Sequence, residues 1–195
     1  MESHRFHKFN PANAARLLAA ERAEIHPPDE VLALLALRSG HIAADVGCGP
    51  GYYTLPIARA VGPEGGVLAL DIRPEMLALL EERLFAESIG HVRPVLSSES
   101  QLPVADAGCD RLLAAFLLHE LADPAALLGE VRRVVRPGGR GLAVDWAPRE
   151  SPSGPPLEVR VPAGRADEWL RAAGLVPEPA VDFGPHSYAI VFHRP

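Results

Sequence analysis

This 195-residue chain predicts an α/β fold, doubly wound about a mostly parallel sheet, and three observations carry that prediction. Short apolar runs alternate with helical stretches through most of the chain, the rhythm of strands crossed over by helices. The first run, Ile42–Val46, leads into Gly47-Cys48-Gly49-Pro50-Gly51 and then a helical pattern at Leu55, Ile57, Ala58 and Val61. The next apolar run ends in an acid, Asp71, 20 residues beyond Gly51. A strand, a glycine turn and a helix in that order let a ligand approach bare backbone beside a helix start. A carboxylate at that spacing reaches ribose hydroxyls.

Each element follows from its residues. Residues 1–28 read as an N-terminal arm, a candidate lid, with one helix over roughly Pro11–Glu24 that Pro27-Pro28 stops. Those prolines prime a second helix, Asp29–Leu37, whose apolar stripe is Val31, Leu32, Leu34 and Leu35; Gly40 ends it. Strand one (Ile42–Val46), a helix (Tyr52–Val61), strand two (Val67–Leu70) and a helix (Pro74–Ala86) follow, with Gly62-Pro63-Glu64-Gly65-Gly66 turning the chain before strand two. Strand three is Val92–Leu96, and after a polar connector strand four runs from Asp110 to Phe116. Asp123-Pro124 opens a helix through Val135, Arg136-Pro137-Gly138-Gly139 closes it, and Gly141–Asp145 is strand five. Pro148, Pro152, Pro155, Pro156 and Pro162 make a stiff, irregular loop. A helix over Ala166–Ala173 ends at Gly174, and Val176–Phe183 with Ser187–His193 reads as an antiparallel hairpin. No repeat or long linker interrupts this order, so residues 1–195 read as one domain.

Composition narrows the function classes. The net charge is −6, with 18 Arg and a single Lys, and the densest basic group, Arg132-Arg133-Arg136, reads as a solvated helix face. A nucleic-acid partner is therefore not expected. No apolar run approaches a membrane span, and no signal-peptide core follows the polar start, so no membrane association is expected. Two cysteines, Cys48 and Cys109, are too few for a disulfide framework and point to a reducing, cytoplasmic setting. His4 and His7 stand three apart, but no cysteine or carboxylate cluster completes a ligand set, so no metal is expected.

The glycines fall as G-x-G-x-G, and Tyr52 occupies the place where a dinucleotide fingerprint wants its last glycine; this favours S-adenosylmethionine (SAM) over NAD. Four blocks then act together: Asp45 to Gly51, Ala69-Leu70-Asp71-Ile72, Asp110 through Leu118-His119-Glu120, and Glu130 through Pro137-Gly138-Gly139. With them, residues 25–195 resemble a class I SAM-dependent methyltransferase, of the type 11 kind similar to the ubiquinone/menaquinone C-methyltransferases. That resemblance implies a Rossmann-like, seven-stranded, mostly parallel sheet with an antiparallel C-terminal hairpin. It also implies SAM as cofactor and a small-molecule methyl acceptor. Gly47, Gly49 and Gly51 would receive the methionine portion, Asp45 its ammonium, and Asp71 both ribose hydroxyls, with Ile72 against the adenine. The backbone at Ala115 and Phe116 would close over the methionyl group. Family members commonly carry a Gly-Asp pair where this chain has Ser97-Ser98, so Ser98 or Glu99 would serve the adenine amino group.

His119 follows strand four at the carboxyl edge of the sheet, where α/β ligands bind, and is the candidate general base. Asp145 and Trp146 end strand five beside the same crevice and are candidates to hold the substrate. Tyr52 and Tyr53 serve either the pocket wall or the core. His4, Phe6, His7, Lys8 and Phe9 belong to the candidate lid. Two alternatives stay open on the sequence: a non-catalytic SAM-binding or partner-binding protein, and a nucleic-acid methyltransferase. Phe116-Leu117-Leu118-His119 stands where the latter usually shows Asp/Asn-Pro-Pro-Tyr.

Overall fold

In the computed structural model, which describes residues 14–19 and 22–195, side chains alternate along each central strand between two packed faces. Leu113, Leu142, Val144 and Val191 point to one face, and Leu112, Ala114, Ala143 and Ile190 to the other, as the two-residue period of a strand requires. Helices α3 (Pro28–Leu35), α4 (Thr54–Val61) and α5 (Pro74–Ala86) cover the first face. Helices α6 (Pro124–Val134) and α7 (Ala163–Ala172) cover the second. The strands are β1 (Ile42–Val46), β2 (Gly66–Asp71), β3 (Val92–Leu96), β4 (Cys109–Ala115), β5 (Val135–Trp146), β6 (Val176–Pro177), β7 (Val181–Phe183) and β8 (Ser187–His193). Their order is β3-β2-β1-β4-β5-β8-β6, with β7 also on β8. The first five run parallel, and β8 is antiparallel to β5, which is the doubly wound arrangement with an antiparallel end.

The sheet has eight strands where seven were expected. Val176–Phe183 splits into β6 and β7, both antiparallel to β8, around Glu178-Pro179-Ala180. Glu178 still donates to the Val191 carbonyl at 2.8 Å, but Pro179 has no N–H to continue the ladder. Strand five begins earlier than Gly141 because the expected turn at Gly138-Gly139 pairs with the end of the chain: Gly138 N–H donates to Arg194 O (2.8 Å) and Arg194 N–H to Gly139 O (3.1 Å).

The arm also differs from its expected single helix. Its described residues form two short helices, α1 (Ala14–Leu17) and α2 (Arg22–Ile25). So short a helix has little stability of its own, and Arg22 ties the two together, its Nη1 donating to Leu17 O at 3.3 Å. Pro11, His4, Phe6, His7, Lys8 and Phe9 lie outside the described residues. Helix α3 ends before Gly40, at Ala36, which takes the left-handed conformation (φ 49°, ψ 50°) and returns its N–H to Ala33 O. Pro124 opens α6 as expected, and Asp123 caps it by accepting the Ala126 N–H at 3.0 Å. The basic group at its end is more than a solvated face. Arg133 forks onto Glu130 and reaches Asp106 and the Leu102 and Val104 carbonyls, tying the β3–β4 connector to α6. Arg136 pairs with Asp110 at 2.7 Å.

Candidate active site

The strand order reverses between β1 and β4, and the carboxyl ends of those strands open into a cavity of about 550 Å³. Such a switch point is where open α/β sheets bind ligands, because the loops leaving neighbouring strands diverge there. The turn after β1, Asp71–Arg73, Ser97–Glu99, Ala115–Leu117, His119–Leu121 and Trp146 all line it, joined from outside by α1, α2 and Gly154-Pro155.

The glycine turn folds as its residues demand. Gly47, Gly49 and Gly51 have φ of 72°, 53° and 85°, a region that L side chains rarely occupy. The amides of Gly47 and Cys48 both donate to Leu70 O (2.8 and 3.0 Å), and that of Gly49 to Asp71 Oδ2 (2.8 Å). Asp71 Oδ1 accepts the Arg73 N–H at 2.9 Å, so one carboxylate joins the two loops that flank the cavity. Burial raises the Asp71 pKa against the pull of these N–H bonds. The Ile72 N–H pulls on the same carboxylate, and a carboxylate with about four acceptor directions still has capacity for a ligand hydroxyl. Gly47 and Gly49 line the cavity, whereas Gly51 does not. A Cβ on Gly51 would stand 2.4 Å from Leu80 Cδ1, so this glycine admits α5 rather than a ligand.

Asp45 is 2% exposed, lines the cavity and accepts a 2.6 Å hydrogen bond from Thr54 Oγ1. Burial lifts its pKa to about 7 despite that bond. Such a carboxyl gains by meeting a cation, and an ammonium is a fitting occupant. Ile72, Ser98, Glu99 and Ala115 line the cavity as expected. Phe116 does too, in a left-handed conformation (φ 57°) unusual for an aromatic residue. Its ring lies 5.5 Å from that of Trp146. Backbone strain of this kind concentrates at functional sites.

His119 and Asp145 are both present, but not as two independent residues. Asp145 is 0% exposed and is not part of the cavity wall, where the sequence suggested a residue holding the substrate. It stands behind His119 instead. Oδ1 pairs with His119 Nδ1 at 2.7 Å, Oδ2 accepts the His119 N–H at 3.0 Å, and the Trp146 N–H donates to Oδ1 at 2.7 Å. An acceptor at Nδ1 places the ring proton there and leaves Nε2 as the basic atom, 3.8 Å from Glu120 Oε1. Burial alone would depress the His119 pKa, but Asp145, with Glu120 behind it, outweighs burial and raises it.

Tyr53, which the sequence left between pocket wall and core, lines the cavity, and so do Arg22 and His26, which the sequence did not single out. The hydroxyls of Tyr52 and Tyr53 donate to His26 O at 3.0 and 3.5 Å, which fastens the arm to the start of α4. Tyr52 is therefore both pocket wall and clamp. No local signal marks Arg22 or His26, since only the docking of the arm brings them here.

Residues 43–139 match the family described as a methyltransferase domain. Fold, site and family match agree on a SAM-dependent methyltransferase domain, which the family match covers over residues 43–139. It is similar along its length to a SAM-dependent methyltransferase from Aquifex aeolicus, with a TM-score of 0.92 at 29% identity over 96% of this chain and 100% of that one. It is 32% identical over 117 residues to a demethylmenaquinone methyltransferase of Geobacillus kaustophilus, covering 60% of this chain and 50% of that protein. A ubiquinone/menaquinone biosynthesis C-methyltransferase of a Marinomonas species is 34% identical over 116 residues, 59% of this chain and 46% of its own. The chain thus spans about half the length of the curated relatives it matches. The residues present fit SAM: a glycine-rich turn that lines the cavity, a buried carboxyl at Asp45 whose charge a ligand ammonium would favour, and a second carboxylate at Asp71 on the cavity wall.

Proposed function

We propose that this chain transfers a methyl group from SAM to a small-molecule acceptor whose attacking atom carries a proton. The observation behind this reading is that the His119–Asp145 pair opens on the same cavity as the glycine turn, Asp45 and Asp71. SAM supplies an activated methyl group on a sulfonium, so the protein's task is chiefly alignment. Asp71 holds the ribose diol, Asp45 the ammonium, and Ser98 or Glu99 the adenine edge. Phe116, Trp146 and Pro155 keep water from the reacting end of the cavity. His119 Nε2 takes the proton that the acceptor loses as its new bond to carbon forms and the carbon–sulfur bond breaks. Asp145 holds the ring in register and stabilises the imidazolium that results. The relatives named above for demethylmenaquinone support a small acceptor, as does a cavity of this volume lined in part by the arm. The buried thiols of Cys48 and Cys109 support a cytoplasmic setting.

Calorimetry with S-adenosylhomocysteine tests the reading. The wild-type protein is expected to bind it, and Asp71→Ala to lose at least tenfold in affinity while remaining folded. A folded wild-type protein that takes up no S-adenosylhomocysteine refutes the proposal.

A further inference from the structure

The arm brings a cation and an imidazole to the cavity, and the methyl-transfer scheme uses neither. The Arg22 guanidinium carbon lies 4.5 Å from the centre of the Tyr52 ring, 5.4 Å from that of Phe116 and 5.9 Å from that of Tyr53. Its Nη1 donates to Leu17 O at 3.3 Å, and its buried Nε has no hydrogen-bond partner among the described residues. His26 is 2% exposed, with its ring 4.3 Å from Phe116 and 5.0 Å from Trp146. Both of its ring nitrogens are buried and unpartnered among the described residues. Burial, helped by Arg22, lowers its pKa to about 3, so the ring is neutral and offers one donor and one acceptor. Buried polar atoms are nearly always paired, and three unpaired ones on adjacent side chains lining one cavity call for a ligand. The Tyr52 and Tyr53 hydroxyls hold His26 by its carbonyl, so the placement is built into the fold.

We propose that Arg22 and His26 form a subsite for a carboxylate borne on the methyl acceptor, and that this carboxylate is attached to a flat, conjugated ring. The proposal rests on the methyl-transfer reading and deepens it. Arg22 supplies one positive charge and a planar fork, which match a carboxylate better than a doubly charged phosphate. The neutral imidazole adds one N–H. Phe116, Trp146 and Tyr52 supply aromatic faces suited to a ring, and His119 opens on the same cavity, where the reacting atom needs its base. A cationic acceptor is disfavoured, because Arg22 already stands under the aromatic rings. The cofactor's own carboxylate shares this chemistry. Arg22 lies within electrostatic reach of Asp45, and Arg16 lines the same cavity, so the test separates the acceptor's carboxylate from the cofactor's.

The test adds benzoate or benzamide, two probes of one shape, to the full chain saturated with S-adenosylhomocysteine. Wild-type protein is expected to bind benzoate at least tenfold more tightly than benzamide. Arg22→Met is expected to abolish that preference with S-adenosylhomocysteine affinity held within twofold, and Arg22→Lys to keep part of it. Thermal melts establish that each variant is folded, and Arg22→Gln replaces the Met variant if it is not. Equal binding of the two probes by wild type, or no binding of either, overturns the proposal alone. Arg22→Met losing tenfold for S-adenosylhomocysteine, but not for 5′-methylthioadenosine, assigns the carboxylate to the cofactor and also overturns it. A wild-type protein that fails to bind S-adenosylhomocysteine overturns both proposals.

Discussion

His119 is held by Asp145 at two points, through its ring at 2.7 Å and through its own backbone N–H at 3.0 Å. One fully buried carboxylate therefore sets the position, tautomer and basicity of the imidazole together.

Removing either member should separate catalysis from cofactor binding. His119→Gln is expected to lower the rate of methyl transfer by roughly 10²–10⁴-fold, the usual contribution of a positioned base. Asp145→Asn should move the rising limb of the pH–rate profile to lower pH, because the carboxylate is what raises the His119 pKa. S-adenosylhomocysteine affinity should stay near wild type in both. A profile whose midpoint does not move in Asp145→Asn removes His119 from the chemistry.

Asp45 puts function in opposition to stability. Its pKa of about 7 in the fold exceeds the ordinary 3.8, so between those values the folded state binds more protons than the unfolded one. Its stabilising effect is complete below pH 3.8 and is lost as pH rises through 7, with a slope of up to about 1.4 kcal/mol per pH unit. Asp45→Asn keeps an acceptor for Thr54 and removes the buried charge. Urea melts at pH 8 should find the ligand-free variant more stable than wild type, while calorimetry finds its affinity for S-adenosylhomocysteine lowered at least tenfold. A destabilised variant at pH 8 contradicts this account of the carboxyl.

Much of this arrangement could be read where the signals are local. Pro74 and Pro124 start helices as first-turn prolines do, and Val92–Leu96 matches β3 at both ends. Asp71 and the glycine turn were legible because spacing along the chain decides that geometry. The split at Pro179 was also written in the sequence, since proline cannot donate to a ladder, but a single hairpin is simpler to draw. Long-range contacts were not legible. β5 lengthens because Arg194 returns to Gly138-Gly139, and Asp145 serves His119 because the loop after β4 folds back over β5. Arg22 and His26 enter the site only because two tyrosine hydroxyls, more than 25 positions away, capture the arm.

Gly51 should respond as a packing residue, unlike Gly49. Gly51→Ala places a methyl 2.4 Å from Leu80 Cδ1 at φ 85°, and overpacking of this kind costs typically about 1–3 kcal/mol. Leu80→Ala vacates that space while losing its own buried side chain. The double variant is therefore expected to be less destabilised than the two single effects combined, by about 0.5–3 kcal/mol of coupling in urea melts. Strict additivity of Gly51→Ala and Leu80→Ala contradicts this contact.

His26 makes the arm's attachment sensitive to acid. Its pKa of about 3 in the fold lies below the ordinary 6.5, so between these values the unfolded chain binds the additional proton. The stability it confers is present above pH 6.5 and is lost as pH falls toward 3. Between pH 7 and pH 5 the loss should come to about 2 kcal/mol, at about 1.4 kcal/mol per pH unit. His26→Phe keeps a ring between Phe116 and Trp146 but has no proton to take up. Urea midpoints measured at both pH values should fall less in this variant than in wild type by about that amount. Parallel losses in the two proteins mean that the imidazole is not held neutral against the aromatic wall, and the arm is then attached by the Tyr52 and Tyr53 hydroxyls without a contribution from the buried ring.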